Sequence, residues 1–315
     1  MDQINTPLAL LERIKKTYMH TFYYLDRQRS LPSVSDSVYL HLVETGMELS
    51  AAVASVPVVA ACYTWRTRKR MYVFDDALAR SLAAQAEDAF ASGKLPEDLI
   101  PQLPMKAFYV QAPEVLCKGL DGFFLWREGE FRLRLVFLMA DMFSSFSAAV
   151  CIAPEMSLAD CLPDPDAWIY PHILNAARGN SVALDLVMGH IYCPGPCQYM
   201  IHNLILRALQ LVQYLSCDNA DITLPENLKA ASSSSGTSQG DSGETYTVGK
   251  EIGKALREAA QHTPGVSPKA HTRKGHWHSY WVGPKTGERK KITKWVAPTL
   301  VGRIPKEVDV QVVSP

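Results

Sequence analysis

Six consecutive residues, His276-Trp277-His278-Ser279-Tyr280-Trp281, place two imidazoles, two indoles and a phenol within one short stretch, inside a strand-like run from His271 to Gly283. On an extended chain successive side chains alternate, so His276, His278 and Tyr280 share one face while Trp277, Ser279 and Trp281 share the other. The turn Pro284-Lys285-Thr286-Gly287 and the segment Glu288 to Val296 then read as the return strand of a hairpin, in which Trp295 joins the indole face. Four chemistries fit. Two imidazoles at i and i+2 could ligate one metal ion with His271 or His262 as a third donor, although no carboxylate lies close in sequence. Lys and Arg could neutralise phosphates while the rings stack on unpaired bases. A free hairpin edge with aromatic walls could hold an extended peptide. The indoles could also simply form the core of a small module. The candidate binding residues are Arg273, Lys274, His276, Trp277, His278, Tyr280, Trp281 and Trp295.

Elsewhere the chemistry is sparser. His190, Cys193, Cys197 and His202 surround a Pro-Gly-Pro turn and carry zinc-compatible donors, but with three residues between the cysteines instead of two the pattern reads as reduced thiols. Trp65-Arg66-Thr67-Arg68-Lys69-Arg70 reads as a solvated strand edge or helix end; Trp65, Arg66, Arg68 and Arg70 form a secondary candidate patch for an acidic or phosphate group. Asp164 and Asp166 sit between prolines as turn formers. No nucleophile elbow, phosphate loop, dinucleotide fingerprint or His-Glu-x-x-His zinc motif occurs, so no enzyme, cofactor or metal is expected. The one enzymatic alternative is a nuclease with His276 and His278 as acid and base.

Which elements must position these groups? Of 315 residues 47 % are apolar and 20 % charged, with 32 basic against 32 acidic, which is the composition of a globular chain. The neutral total hides a split: from residue 231 onward there are 13 basic and 7 acidic residues, and before it 19 and 25. Seven cysteines and a start without a basic, apolar leader point to reduced thiols in a cytoplasm. The uncharged run Leu49 to Trp65 is 17 residues long and contains Pro57, so it reads as buried core and no membrane contact is expected.

The expected fold class is α+β: a mainly helical N-terminal unit with short antiparallel strands over residues 1–229, a disordered Ser/Gly-rich linker over 230–246, and a basic helix–hairpin module over 247–315. Leu8, Leu11, Ile14 and Tyr18 mark a first helix, and Ser33-x-x-Asp36 opens a second through Val38, Leu42 and Leu49. Arg70 to Phe74 is strand-like, and Asp75 caps a helix reaching Phe90. Ala107 to Val110 reads as a strand, Phe123–Trp126 and Phe131–Phe137 as a hairpin, and His202 to Cys217 as an amphipathic helix. Beyond the linker Val248, Ile252, Ala255, Leu256 and Ala259 line a helix that Gly249 and Gly253 weaken.

Several of these residues have a counterpart. The string Arg273-Lys274-Gly275-His276-Trp277-His278-Ser279-Tyr280-Trp281-x-Gly283 with Trp295 resembles the end of an anti-CRISPR family that acts against the type V-A effector nuclease. Ile252-Gly253-x-x-Leu256, Tyr214-Leu215-x-Cys217 with Ala220-Asp221-Ile222-Thr223, Trp65-Arg66 with Tyr72, and Pro101 through Tyr109 are similar to that family in the same order. The Ser-rich linker and the Cys193/Cys197 turn depart from its pattern. The resemblance implies a protein of a bacteriophage or other mobile genetic element, used for host defence evasion. It implies recognition of the N-terminal segment of the nascent CRISPR effector polypeptide during translation, followed by loss of its mRNA in the bacterial cytoplasm. The partners implied are that nascent peptide, the mRNA or ribosome, and a host ribonuclease. A plain RNA-binding module without peptide specificity is the alternative.

Overall fold

The computed structural model describes residues 6–28, 33–86, 103, 106–128, 132–139, 145–151, 196–224, 243–261, 271–273, 275–284, 286, 289–297 and 299–301. Four helices come first: α1 (Pro7–Thr17), α2 (Met19–Arg27), α3 (Val34–Glu44) and α4 (Leu49–Trp65). The caps follow from the sequence. Thr6 Oγ1 accepts from the Ala9 N–H, Ser33 Oγ from the Asp36 N–H, and the Glu48 carboxylate from Ser50 and Ala51, each satisfying a donor that the first helical turn leaves free. Leu49, expected on the second helix, instead opens α4, because α3 stops at Glu44 and the chain turns at Gly46 with φ 87°. The apolar α4 is buried most deeply in its second half, with Val56, Val59 and Cys62 fully buried, while Ala51 and Ala54 near its start are exposed.

A mixed seven-stranded sheet follows, with strands β1 (Met71–Phe74), β2 (Ala107–Gln111), β3 (Leu120–Glu128), β4 (Arg132–Met139), β5 (Ser145–Cys151), β6 (Ile222–Thr223) and β7 (Thr245–Val248). Their order across the sheet is β5-β4-β3-β2-β1-β7-β6. The expected hairpin is β3–β4, in register from Glu128↔Arg132 to Leu120↔Met139. The α+β class holds. The sheet is larger than expected and not purely antiparallel, since β1 runs parallel to both β2 and β7.

Alternation along the strands divides the interior. Phe108, Val110, Phe123, Leu125, Leu133, Leu135 and Phe137 face one core; Tyr109, Phe124, Trp126, Val136 and Leu138 face the other, against α1–α4. The first core is closed by α5 (Asp76–Ala83), α6 (Pro196–Leu215) and α7 (Lys250–Gln261). Helices therefore cover both sides of the sheet. Two short ribbons complete the chain: β9 (His276–Val282) with β10 (Lys290–Val296), and β8 (His271–Arg273) with β11 (Thr299–Val301).

The expected boundary at residues 246 and 247 falls inside β7, which is hydrogen-bonded between β1 and β6. Residues 225–242, most of the expected linker, lie outside the described residues. Val248, expected to line the following helix, ends β7, and Gly249 makes the strand-to-helix turn at φ 78°. Gly249 therefore does not weaken α7; a Cβ there would sit 2.0 Å from Leu78 Cδ2. The helix after Asp75 ends at Ala83 and α6 begins at Pro196, earlier than expected. Residues 87–90, to which the first was expected to reach, lie outside the described residues.

A candidate recognition ribbon

The aromatic run forms β9, and its break from β8 comes at Gly275, because β8 pairs with β11 while β9 pairs with β10. The register sets Trp295 opposite Trp277, Lys294 opposite His278, Ile292 opposite Tyr280 and Lys291 opposite Trp281. Residues directly opposite on an antiparallel pair share a face. One face thus carries Trp277, Trp295 and Trp281; the other carries His276, His278 and Tyr280 with Lys294. This is the alternation expected from the sequence.

The two ends of the ribbon differ. At the base, Trp295 is 2 % exposed and belongs to the core shared by the sheet, α5 and α6. Its indole N–H donates to Gln85 Oε1 at 3.3 Å, and its ring meets Tyr214 edge-on, centroids 5.9 Å apart. Its backbone is held by Asn219, whose Oδ1 accepts from the Trp295 N–H at 3.1 Å and whose Nδ2 donates to the Trp295 carbonyl at 2.8 Å. A side-chain amide here completes a strand-like pair of bonds. Beside it Trp277 packs against the same core and donates its indole N–H to the buried Gln210 Oε1 at 2.8 Å. Both indoles are half of an anchor, which satisfies their polar handles as burial requires.

The loop after α6 ties this anchor to the sheet. The Tyr214 hydroxyl accepts from the Asp221 N–H at 3.0 Å, and Asp221 Oδ2 accepts from the Glu251 and Ile252 N–H groups at the start of α7. Burial pushes the Tyr214 phenol well up, so it stays protonated across the physiological range, and burial likewise pushes the Cys217 thiol up to about 11.

Away from the anchor the ribbon is open to solvent. Tyr280 is 42 % exposed, Trp281 62 % and Val282 51 %. His278 and Tyr280 lie ring against ring, centroids 4.2 Å apart with 35° between planes, and His278 is exposed as well. The eight candidates thus separate: Trp277 and Trp295 hold the ribbon, His278, Tyr280 and Trp281 project from it, and His276 is partly buried. Arg273 lies in β8 opposite Thr299, with its side chain outside the described residues, as is Lys274 altogether.

The secondary patch does not assemble as a surface. Trp65 is buried, packs on Phe124 and donates its indole N–H to the Arg70 carbonyl at 2.7 Å. Arg66 pairs with Asp26 and lies over the Tyr63 ring. Arg70 pairs with Glu244 at 2.8 Å and covers the Tyr246 ring, locking β7 beside β1. Arg68 is exposed. Residues 190 and 193 of the thiol–imidazole cluster lie outside the described residues, as do the side chains of Cys197 and His202.

Sequence reasoning missed Gln85, Gln210 and Asn219. Gln85 and Gln210 carried one available signal: each interrupts an otherwise apolar stretch, where a buried amide needs a partner.

The fold is thus an α/β/α sandwich with an appended aromatic ribbon, and a family model identifies it. The AcrVA2-like family, the Anti-CRISPR type V subtype A2 family, matches residues 72–303, and the chain belongs to that family. A solved structure titled "Crystal structure of AcrVA2" is similar in fold, with a TM-score of 0.50 and 14 % identity over 94 % of this chain and 98 % of that one. No curated protein sequence matches.

Proposed function

We propose that the chain is an anti-CRISPR regulator that recognises the N-terminal segment of a type V-A effector nuclease as it is translated and causes loss of its mRNA. The family match over residues 72–303 carries this reading, because it takes in both the sheet and the aromatic ribbon. The chain acts in the bacterial cytoplasm, has no active site of its own, and relies on a host ribonuclease to cut the message. The charge split supports a division of tasks, with the acidic part of the chain holding the peptide and the basic part facing RNA or the ribosome.

Three effector reporters test it in cells that express the chain. One keeps the natural N-terminal codons, one is recoded synonymously, and one is frameshifted so that the RNA is nearly unchanged but the peptide is lost. The expected result is a fall in mRNA for the first two and none for the third. A fall that follows the RNA and ignores the peptide would replace this reading by the plain RNA-binding module, which the basic residues along β10 favour. His276→Ala/His278→Ala should fold and still lower the message; loss of an RNA-cutting activity of the purified chain in that variant would instead support the nuclease.

A further inference from the structure

The ribbon's outward face offers a second surface chemistry that its anchored face does not. We infer that His278 and Tyr280 form a stacking platform for unpaired RNA bases, with Lys294 on the same face as a phosphate contact, and that the exposed Trp281 adds a further ring from the opposite face of the ribbon.

Three observations converge on a polyanion with flat, unpaired rings. First, the His278 and Tyr280 rings already lie 4.2 Å apart and only 35° from parallel on an exposed face, so a base laid on either continues an existing stack. Second, the register puts Lys294 across from His278, on the face of the stacked pair, and Lys291 across from Trp281, so β10 sets a basic residue opposite a ring on either face of the ribbon. Third, the platform is held rigidly. Trp277 and Trp295 are fixed by Gln210, Gln85 and Asn219, and the aromatic tip is thereby presented without the loss of freedom that a loose arm would suffer on binding. Aromatic rings that accept any base, set among basic residues that follow a backbone, are the arrangement by which proteins hold single strands without reading their sequence. A duplex hides its base faces and would forgo the rings. An acidic peptide would use the cations and leave three exposed rings without flat partners. RNA binding by this ribbon rests on the proposed function only for which RNA is held; whether the ribbon binds RNA at all is tested without any effector.

The probe is a fluorescein-labelled 12-nucleotide oligouridine RNA titrated with the full chain at low salt, followed by anisotropy. Saturable binding is expected, weaker for an RNA duplex of equal length. Tyr280→Ala/Trp281→Ala should weaken it by about tenfold or more, while Tyr280→Phe/Trp281→Phe retains most of it. Lys294→Gln should flatten the dependence of log affinity on log salt by about 0.7. Because Tyr280 and Trp281 are exposed and Lys294 is only half-buried, the variants should melt with the parent protein, and that melt is the folding control. Absence of saturable binding overturns the inference. So does binding that the double substitution leaves unchanged, equal affinity for the duplex, or tighter binding of a polyglutamate peptide. An RNA platform that fails while the reporters still respond leaves the peptide reading intact; the converse leaves the platform.

Discussion

Glu128 and Arg134 form an ion pair across the β3–β4 hairpin at 2.6 Å, with both side chains buried. Burial alone would raise the Glu128 carboxyl. The Arg134 guanidinium and hydrogen bonds from the Ser33 hydroxyl and the Ser35 N–H outweigh it and hold the group below the ordinary value of 4.5. A depressed carboxylate stabilises the fold above its unfolded value and loses that contribution as pH falls through its folded value. Glu128→Gln should therefore cost about 3–5 kcal/mol at neutral pH by removing the carboxylate charge that faces the buried Arg134 guanidinium. In urea midpoints the gap between variant and parent should narrow as pH drops below 4.5. Thiol chemistry gives a second check at this scale. Of the three cysteines whose side chains are described, burial pushes Cys62 far up and Cys217 to about 11, whereas Cys117 is exposed. Brief iodoacetamide treatment of the native chain at pH 8 should label Cys117 and spare the other two, as read by peptide mass spectrometry.

Between elements, α7 comes very close to the start of α5. A Cβ on Gly253 would stand 1.9 Å from Asp75 Oδ1, the carboxylate that caps α5 and takes two bonds from Arg257. Helix propensity favours Gly253→Ala by about 1 kcal/mol. The clash should reverse that sign and destabilise by about 1–3 kcal/mol, measurable as a lowered denaturant midpoint. The first signal could be read in the sequence and the second could not. Ser33, Asp75 and the β3–β4 hairpin were legible because their causes are local: a capping side chain three residues from its donor, or alternating apolar residues on either side of a short turn. The roles of Arg66 and Arg70 were not, since their partners, Asp26 and Glu244, lie 40 and 174 residues away. The ribbon was half legible. Alternation assigned Trp277, Trp281 and Trp295 to one face correctly, but nothing in the spacing told which end of that face would be covered by α6.

For the molecule as a whole, the insertion of β7 decides what can fold alone. A fragment of residues 1–229 keeps β1 and β6 but lacks the strand that joins them, together with Tyr246, Val248 and Trp295 from the core. Such a fragment should aggregate or bind a hydrophobic dye strongly, whereas the full chain should unfold in one transition seen alike by tryptophan fluorescence and far-ultraviolet circular dichroism. Two separate melts in the full chain would mean that the C-terminal region is energetically independent. Four residues with a period of two, next to a Ser-rich segment, gave no hint that they would occupy the middle of a sheet.

Synthesis order adds a temporal consequence. Met71 meets Thr245 only after the ribosome has made the long stretch between them, so β1 waits with one edge bare while those residues emerge. Pairing across so long a stretch is slow to nucleate, on the order of milliseconds to seconds for sheet-rich domains. A message truncated anywhere upstream of Thr245 would therefore yield a product with a sticky, incomplete sheet, and inhibitory capacity should switch on abruptly once β7 has emerged instead of accumulating as the polypeptide lengthens.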